Sequence, residues 1–346
     1  MNASKNFVEV SGLSFIEFSG SKPKLLTDLF EKMGLKIGGK TILKNISLYF
    51  QEDIRFISNP SNGGNAELFR SVHGCGASAM GFKVENGDKA YKLALALGAE
   101  PADLTDYPIP AIKGVGKSLI YLVDEEAENK LFSMLEFVKS MPNATGETCL
   151  QRVDHLTHNL NIGGVERMSQ YYERIFGFIQ IRSFHIEGKK TGLYSQVVAS
   201  RCGKVIIPLN ETKDEKSQIA EFIRDYNGEG IQHIALTSSD IYKTLKKLTV
   251  NGILFQDTPD TYYDLIDSRL PGHGENIEEL RNDRILIDGG EEQGGGFLLQ
   301  IFTKNSIGPI FFEYIQRKGN QGFGDGNFQA LFDSIELDQE RRGVLS

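Results

Sequence analysis

The sequence predicts an α+β protein that contains four copies of one small module, βαβββ, paired into two halves. The main observation is a recurring order of a strand, an amphipathic helix and a glycine that ends the helix. A repeat of this kind shows that one supersecondary unit has been copied along the chain. The four pairs of strand and helix are residues 12–18 with 25–35, 80–84 with 88–98, 153–156 with 168–178, and 233–237 with 240–252.

Further β-rich stretches follow the helices and complete each module. A four-stranded sheet cannot bury both of its faces alone, so we expect two modules to close around a shared cavity in each half. Residues 141–146 read Met-Pro-Asn-Ala-Thr-Gly, a composition typical of a linker. We therefore predict an N-terminal domain at 1–142 and a C-terminal domain at 150–346. The β-rich stretches are 54–58, 193–200, 204–210 and 296–303.

The composition excludes several classes of protein. The chain has 346 residues, a length typical of about two domains, and a net charge of -8 with no long basic block, which argues against a nucleic-acid partner. No apolar run reaches the roughly 20 residues that span a bilayer, and residues 1–7 lack the apolar core of a signal peptide. The three cysteines are widely spaced, which fits a reducing compartment. We expect a cytoplasmic enzyme.

Three residues stand out as candidate metal ligands. His155, His233 and Glu313 each lie in a short apolar run that is typical of a strand. Two imidazoles and one carboxylate match the facial triad of non-haem Fe(II) oxygenases, which leaves open positions for substrate and O2. No fourth ligand is evident, because His158 alternates to the opposite face of its strand from His155. We predict one Fe(II) per chain.

The N-terminal half lacks these ligands. Phe15 occupies the position of His155, and Ala79 or Met80 occupies that of His233, depending on a one-residue gap. His73 lies several residues too early to replace it. We therefore expect the metal in the C-terminal half alone.

Strand alternation predicts which side chains accompany the triad. Glu313 shares a face with Phe311, and Gln300 shares one with Phe302 in the strand expected beside it. Aromatic walls with a few polar groups suit a small aromatic substrate that has a polar tip. Ser195 and Asn210 lie in the strands before these, and Ser195 taken alone is an ordinary strand residue.

Several segments together resemble the 4-hydroxyphenylpyruvate dioxygenases, a family of the vicinal-oxygen-chelate superfamily. The resemblance is densest over about residues 150–340, and it implies two open-barrel domains with the metal in the C-terminal one. The segments are Val153–His155, Pro208–Glu211, Gly230–Leu236, Pro259–Asp264, Leu298–Lys304, Phe312–Arg317 and Gly322–Phe328.

The resemblance also implies roles for individual residues. His155, His233 and Glu313 would be the iron ligands, and a helix over 330–337 would close the entrance. Gln300 would lie near the metal-bound keto acid. Phe302 and Phe328 would enclose the substrate ring. The remaining substrate contacts would be the polar Ser195, Asn210 and Gln218 and the aromatic Phe311 and Phe323.

The implied reaction belongs to tyrosine and phenylalanine catabolism. It converts 4-hydroxyphenylpyruvate and O2 into homogentisate and CO2 by oxidative decarboxylation, ring hydroxylation and side-chain migration. We expect a homo-oligomer that binds this small substrate and neither nucleic acid nor membrane.

Three alternatives share the fold. A 4-hydroxymandelate synthase would hydroxylate the side chain of the same substrate, and such relatives tend to carry a smaller aliphatic residue where this chain has Phe328. A glyoxalase-like lyase would hold Zn or Ni with four protein ligands. A metal-free binding module would lack the triad.

Overall fold

The computed structural model describes residues 6–40, 45–135, 148–187, 192–327 and 330–331. Two mixed sheets account for most of this chain, one in each half. The expected boundary at residue 142 lies outside the described residues, so the domain limits stay a prediction.

The N-terminal half forms a seven-stranded sheet with the strand order β2-β3-β4-β1-β5-β7-β6. Its elements are β1 (Gly12–Ser19), α1 (Pro23–Lys32), β2 (Lys36–Lys40), β3 (Ser47–Gln51), β4 (Ile54–Ser58), α2 (Asn65–His73), β5 (Gly76–Lys83), α3 (Gly87–Ala96), β6 (Ala111–Lys113), β7 (Leu119–Val123) and α4 (Glu125–Met134).

The C-terminal half forms an eight-stranded sheet with the order β13-β14-β15-β12-β8-β11-β10-β9. Its first elements are β8 (Leu150–Leu160), α5 (Gly164–Phe176), β9 (Ile179–Glu187), β10 (Gly192–Ala199), β11 (Ile206–Glu211), α6 (Gln218–Asp225) and β12 (Gly230–Ser238). The rest are α7 (Ile241–Val250), α8 (Asp260–Asp264), α9 (Ile266–Arg269), α10 (Ile277–Asp283), β13 (Leu286–Gly289), β14 (Phe297–Phe302) and β15 (Phe311–Lys318).

The predicted glycine after each module helix has a local conformational cause. Gly34, Gly98, Gly177 and Gly252 follow α1, α3, α5 and α7 and have φ values of 82°, 86°, 63° and 86°. This left-handed conformation is disfavoured for residues with a Cβ, so glycine is the residue that ends the helix and turns the chain back to the sheet. The repeat seen in the sequence is therefore a repeat of helix ends as well as of strands.

The second module is shorter than predicted. After α3, the described chain adds only β6 and β7 to the sheet, and the segment before them makes one isolated bridge, between Pro101 and Ile112. Pro101, Pro108 and Pro110 fall in this segment. Proline has no N–H to donate, which explains why a third strand is not continued here.

The two halves pack through apolar side chains. The ring of Phe312 on β15 lies 6.4 Å from Phe18 and 6.0 Å from Phe56, both in the N-terminal sheet. Phe82 on β5 packs 5.3 Å from Phe176 at the end of α5. One large buried cluster therefore includes residues from both sheets and anchors the strands that carry the candidate ligands.

The interior of the N-terminal sheet is filled by its own side chains. Phe15 pairs with Gly81, as His155 pairs with Ala235 in the other half, and β7 continues this line with Tyr121. The same register places Ala79, and not Met80, at the position of His233. Phe15 and Tyr121 lie 5.9 Å apart in a buried cluster, so an aromatic core occupies the place that ligands hold in the C-terminal half.

The helices in the described part of the chain are all too short or too polar to cross a bilayer. Cys75, Cys149 and Cys202 are unpaired, which agrees with the absence of a disulfide framework in the prediction.

Candidate metal centre

Three neighbouring strands bring the predicted ligands together. His155 on β8 pairs with Ala235 on β12, and Ala235 pairs with Glu313 on β15. His233 lies two residues before Ala235, on the same face of β12. The Nε2 atoms of His155 and His233 lie 3.2 Å and 3.5 Å from Glu313 Oε2. Within the described ranges, this is the group of three metal-binding side chains whose ligand atoms all fall within 4.8 Å of one another.

Each ligand histidine follows a bulged residue that orients its ring. The pairing of β8 with β12 skips Asp154 on one strand and Gln232 on the other. A bulge re-aims the side chain of the extra residue, and here both extra residues turn toward the adjacent ring. His155 Nδ1 donates to Asp154 Oδ1 at 2.9 Å, and His233 Nδ1 donates to Gln232 Oε1 at 2.7 Å. Both imidazoles therefore point Nε2 toward the triad, where a metal ion would replace the contact of His233 Nε2 with the Thr157 hydroxyl at 2.9 Å.

Arg317 completes the support of His155. Its Nε and Nη2 donate to the two carboxylate oxygens of Asp154 at 3.0 Å and 2.8 Å. Burial alone would raise the pKa of Asp154, but the hydrogen bonds from His155 and Arg317 hold that pKa well below its ordinary value. Arg317 Nη1 also donates to the carbonyl oxygen of Gly322 at 2.6 Å, so one guanidinium joins the ligand support to the segment after β15.

The charges around His155 set its protonation. Burial would lower the pKa of this imidazole, but hydrogen bonds to Asp154 and Glu313 raise it to about 9. Burial and the neighbouring His155 lower the pKa of His233. Binding of a metal ion at His155 Nε2 would require loss of the proton there.

Gln300 and Asn327 form a second support, on the side of Glu313. Gln300 Nε2 donates to Glu313 Oε1 at 3.0 Å, and Asn327 Nδ2 donates to Gln300 Oε1 at 2.7 Å. The Tyr262 hydroxyl donates to Asn327 Oδ1 at 2.6 Å. Gly324, with a φ of 73°, passes so close to Gln300 that a Cβ would collide with its amide oxygen. This chain of contacts fastens residues 324–327 to the candidate ligand Glu313.

Aromatic rings surround the triad on its interior side. Phe311 stacks on His233 with ring centroids 4.9 Å apart and an angle of 17° between the planes. Phe302 meets the same imidazole edge-on at 6.5 Å, and Phe323 meets His155 edge-on at 5.6 Å. These rings form an apolar wall beside the ligands.

A polar row crosses the sheet next to this wall. Asn159 on β8 pairs with Asn210 on β11, which pairs with Ser195 on β10. Asn159 lies two residues along β8 from Thr157, which pairs with His233. The polar row is therefore about 7 Å along the strand from the pair of Thr157 and His233.

The donor set of the triad suits a metal ion. Two imidazole nitrogens and one carboxylate oxygen are borderline and hard donors that favour first-row divalent ions, and a three-residue set leaves positions for exogenous ligands. Both imidazoles already carry the partner at Nδ1 that metal-binding histidines use. The residues present fit the predicted metal site.

Comparison with known families agrees with this architecture. Residues 4–138 match the model described as "Hydroxyphenylpyruvate dioxygenase, HPPD, N-terminal". Residues 152–265 match the "Glyoxalase/Bleomycin resistance protein/Dioxygenase superfamily". The chain is 48% identical to 4-hydroxyphenylpyruvate dioxygenase of Legionella pneumophila, over 97% of each chain. The chain belongs to the 4-hydroxyphenylpyruvate dioxygenase family.

Two further comparisons extend this family assignment. The enzyme with the same name from Pseudomonas aeruginosa is 47% identical, with 98% of this chain and 97% of that one covered. A solved structure of a 4-hydroxymandelate synthase mutant from Streptomyces coelicolor superposes with a TM-score of 0.77 at 24% identity, over 95% of this chain and 99% of that one. That similarity confirms the vicinal-oxygen-chelate fold of this family member.

The other predicted site residues of this dioxygenase family member fall into two groups. Those near the triad or in the polar row are Gln300, Phe302, Phe311, Phe323, Ser195 and Asn210. Gln218 lies exposed at the first residue of α6, so its contact with the substrate stays a prediction. Phe328 and residues 332–337 of the expected closing helix lie outside the described residues, so their roles stay predictions.

Sequence reasoning missed several residues of this centre. Three of them lie in the segments that carry the family resemblance, namely Asp154, Gln232 and Arg317. Only the bulges and the strand register show that these residues support the histidines. Asn159 could have been found by counting two residues at a time from His155. His158 faces the other side of β8, as predicted, where its Nε2 lies 2.9 Å from the Tyr172 hydroxyl.

Proposed function

We propose that this protein is an Fe(II)-dependent dioxygenase that converts 4-hydroxyphenylpyruvate and O2 into homogentisate and CO2. The observation that carries the proposal is the convergence of His155, His233 and Glu313 in the half of the chain that the aromatic wall and polar row also occupy. Relatives that carry this enzyme name, at 47–48% identity over nearly the whole chain, support the same reaction.

His155, His233 and Glu313 would hold the iron. When bound, Fe(II) supplies the activation of O2 and the Lewis acidity that an α-keto acid needs for oxidative decarboxylation, because three protein ligands leave three positions of an octahedron open. The carboxylate of Glu313 offsets part of the ion's charge. Gln300 Nε2, at 3.0 Å from Glu313 Oε1, keeps that carboxylate in one orientation.

The surroundings of the triad define how the substrate would lie. The keto acid end would face the three ligands, and the ring would lie against Phe302 and Phe311, which stand at right angles to each other with centroids 6.0 Å apart. The polar row, about 7 Å along the strand from His233, then suits the phenolic hydroxyl. An apolar wall between two polar ends matches a molecule with a keto acid at one end and a hydroxyl at the other.

The protein's contribution to the reaction is positioning and exclusion of water. His155 is 3% exposed and Glu313 is 2% exposed, whereas the side chain of His233 is 13% exposed, so two of the three ligands are shielded from solvent. Shielding protects a reactive oxidant from side reactions and strengthens the electrostatic interactions around it. The contacts of Arg317 and Asn327 hold the segments that carry Phe323 and residues 324–327 against this site.

A test of the proposal measures metal and product together. Protein purified without air and loaded with Fe(II) should bind about one iron per chain and release homogentisate when 4-hydroxyphenylpyruvate and air are added. His155→Ala should lose most of the iron and all turnover. His185→Ala, which removes an exposed histidine far from the triad in sequence, should change neither.

The products separate the outcomes. Iron-loaded protein that consumes no 4-hydroxyphenylpyruvate would refute the proposal. Formation of 4-hydroxymandelate would reassign the chain to that synthase activity. Activity with Zn or Ni alone would favour a lyase. Cytoplasmic location and a homo-oligomeric state are also proposed, and cell fractionation and sedimentation would test them.

A further inference from the structure

Asn159 is a buried amide whose hydrogen-bonding capacity is unused. Its side chain is completely buried, and neither Oδ1 nor Nδ2 has a hydrogen-bond partner in the described protein. Buried polar groups in folded proteins are almost always paired, because an unpaired donor or acceptor keeps its full desolvation cost. An asparagine with both ends unpaired therefore indicates that a ligand completes its contacts.

The position of Asn159 places this amide inside the C-terminal barrel. Residues at even spacing along a strand share a face, so Asn159 faces the same side as Thr157 and His155. Thr157 shows where that side points, because its hydroxyl oxygen lies 2.9 Å from His233 Nε2. His158 points the other way, to Tyr172 of α5. The unpaired amide and the candidate metal ligands thus share one interior.

A second unpaired group lies in the same row. Ser195 is 1% exposed, and its hydroxyl also lacks a partner in the described chain. Asn210 lies between the two, since it pairs with Asn159 on one side and with Ser195 on the other. No charged residue belongs to this row. The chemistry offered is therefore neutral, with both donors and acceptors.

We propose that Asn159 is a specificity-determining residue that hydrogen-bonds the phenolic hydroxyl of the substrate, together with Ser195. The inference rests on the proposed function for the identity of the substrate. A phenolic hydroxyl can donate one hydrogen bond and accept another. A primary amide can accept the first through its oxygen and donate the second through its nitrogen. The row lies one side-chain repeat, about 7 Å, beyond His233, so a substrate held at the triad by its keto acid extends its para position toward Asn159.

This arrangement implies discrimination against substrates without the hydroxyl. Phenylpyruvate would fill the same apolar space and leave Asn159 and Ser195 unpaired. A site built to hydrogen-bond a hydroxyl rejects the analogue that lacks it, because its buried polar groups then lose their partners. We expect the natural protein to bind 4-hydroxyphenylpyruvate more tightly than phenylpyruvate by at least about tenfold.

The experiment compares these two ligands on the Fe(II) protein without air, by calorimetric titration. Asn159→Leu keeps much of the side chain's shape and removes its hydrogen-bonding atoms. In this variant, the preference for 4-hydroxyphenylpyruvate should fall by about tenfold, mainly through weaker binding of that ligand. The matched control is Asn161→Leu, which removes an exposed asparagine two residues along, where the side chain contacts Glu229. It should keep the natural preference.

Two readouts separate this role from a purely structural one. Iron content and melting temperature must match the natural protein, and if Asn159→Leu fails to fold, Asn159→Ser replaces it and should reduce the preference by a smaller factor. An unchanged ratio of affinities in a folded variant overturns the inference. So does a natural protein that makes homogentisate yet binds both ligands equally. A natural protein that binds neither ligand and makes no homogentisate refutes the proposed function as well.

Discussion

Glu17 offers a test of how the N-terminal half is stabilised. Its carboxylate is completely buried on β1, where it accepts hydrogen bonds from Ser78 Oγ at 2.6 Å, Asn59 Nδ2 at 2.8 Å and the Tyr107 hydroxyl at 2.5 Å. Burial and the nearby carboxylate of Asp106 raise the pKa of Glu17 from 4.5 to about 7, although the three hydrogen bonds act in the opposite direction.

No ion pair neutralises this carboxylate within the described residues. Arg70 belongs to the same hydrogen-bond network, but it donates to the backbone oxygen of Asn59 and to the hydroxyl of Ser19 and not to Glu17. Asp106, from the loop before β6, is the other charged group that faces this site. The surroundings thus favour the neutral form of Glu17.

The raised pKa translates into a stability that depends on pH. The folded state retains the proton up to about pH 7, whereas the unfolded chain releases it near pH 4.5. The folded state therefore binds more protons between these values, and its stability falls as pH rises. At 1.36 kcal/mol per pH unit, the loss over this interval is about 3 kcal/mol.

Substitution of Glu17 by glutamine should remove this loss. The glutamine oxygen can accept from Asn59 and Tyr107, and its amide can donate to Ser78 Oγ. The measured quantity is the free energy of unfolding of Glu17→Gln minus that of the natural protein. We expect this difference to rise by about 3 kcal/mol from pH 4.5 to pH 7.5. Urea unfolding followed by circular dichroism at several pH values measures the difference. Glu173→Gln, at an exposed site on α5, serves as the control.

The test uses the difference in unfolding free energy between Glu17→Gln and the natural protein, because effects of pH on the metal site occur in both proteins and cancel. A constant difference across this range would refute the reasoning, since it would mean that Glu17 ionises equally in the folded and unfolded chains. A similar pH-dependent rise in Glu173→Gln would attribute the effect to overall charge.

Two other predictions follow from local geometry. Gln232→Leu should weaken metal binding by about 10–100-fold without unfolding the protein, because His233 Nδ1 loses its acceptor; competition with a chelator measures this, and unchanged affinity would show that Gln232 does not orient the ring. Gly177→Ala should destabilise more than Gly163→Ala in urea unfolding. Both glycines have positive φ, which costs about 1–2 kcal/mol for alanine. Only at Gly177 would the new Cβ also clash with the ring of Phe7, at 2.5 Å. Equal decreases in the free energy of unfolding of the two variants would exclude this clash.

Local patterns in the sequence determined the modules and the ligands. Helix ends at Gly34, Gly98, Gly177 and Gly252 could be predicted because the requirement for a left-handed residue is local to each turn. The strands carrying His155, His233 and Glu313 could be predicted for the same reason, since alternation along a strand is a local property. The residue types of the triad then indicated a metal.

Other features depended on contacts between distant segments. The bulges at Asp154 and Gln232 arise from the pairing of β8 with β12, whose residues are about 80 positions apart, and no local pattern marks them. The choice of Ala79 over Met80 as the counterpart of His233 was also open until the register was known.

The sequence by itself therefore determined which residues form each element and which side chains can bind a metal. Tertiary structure alone decided which polar groups meet in the barrel, including the unpaired amide of Asn159 beside Ser195 and Asn210. The physical reason is that the hydrophobic periodicity of a helix or strand depends on residues close together in the sequence, whereas the pairing register of two strands depends on how whole sheets pack. A shift of one residue would turn each of these side chains to the opposite face.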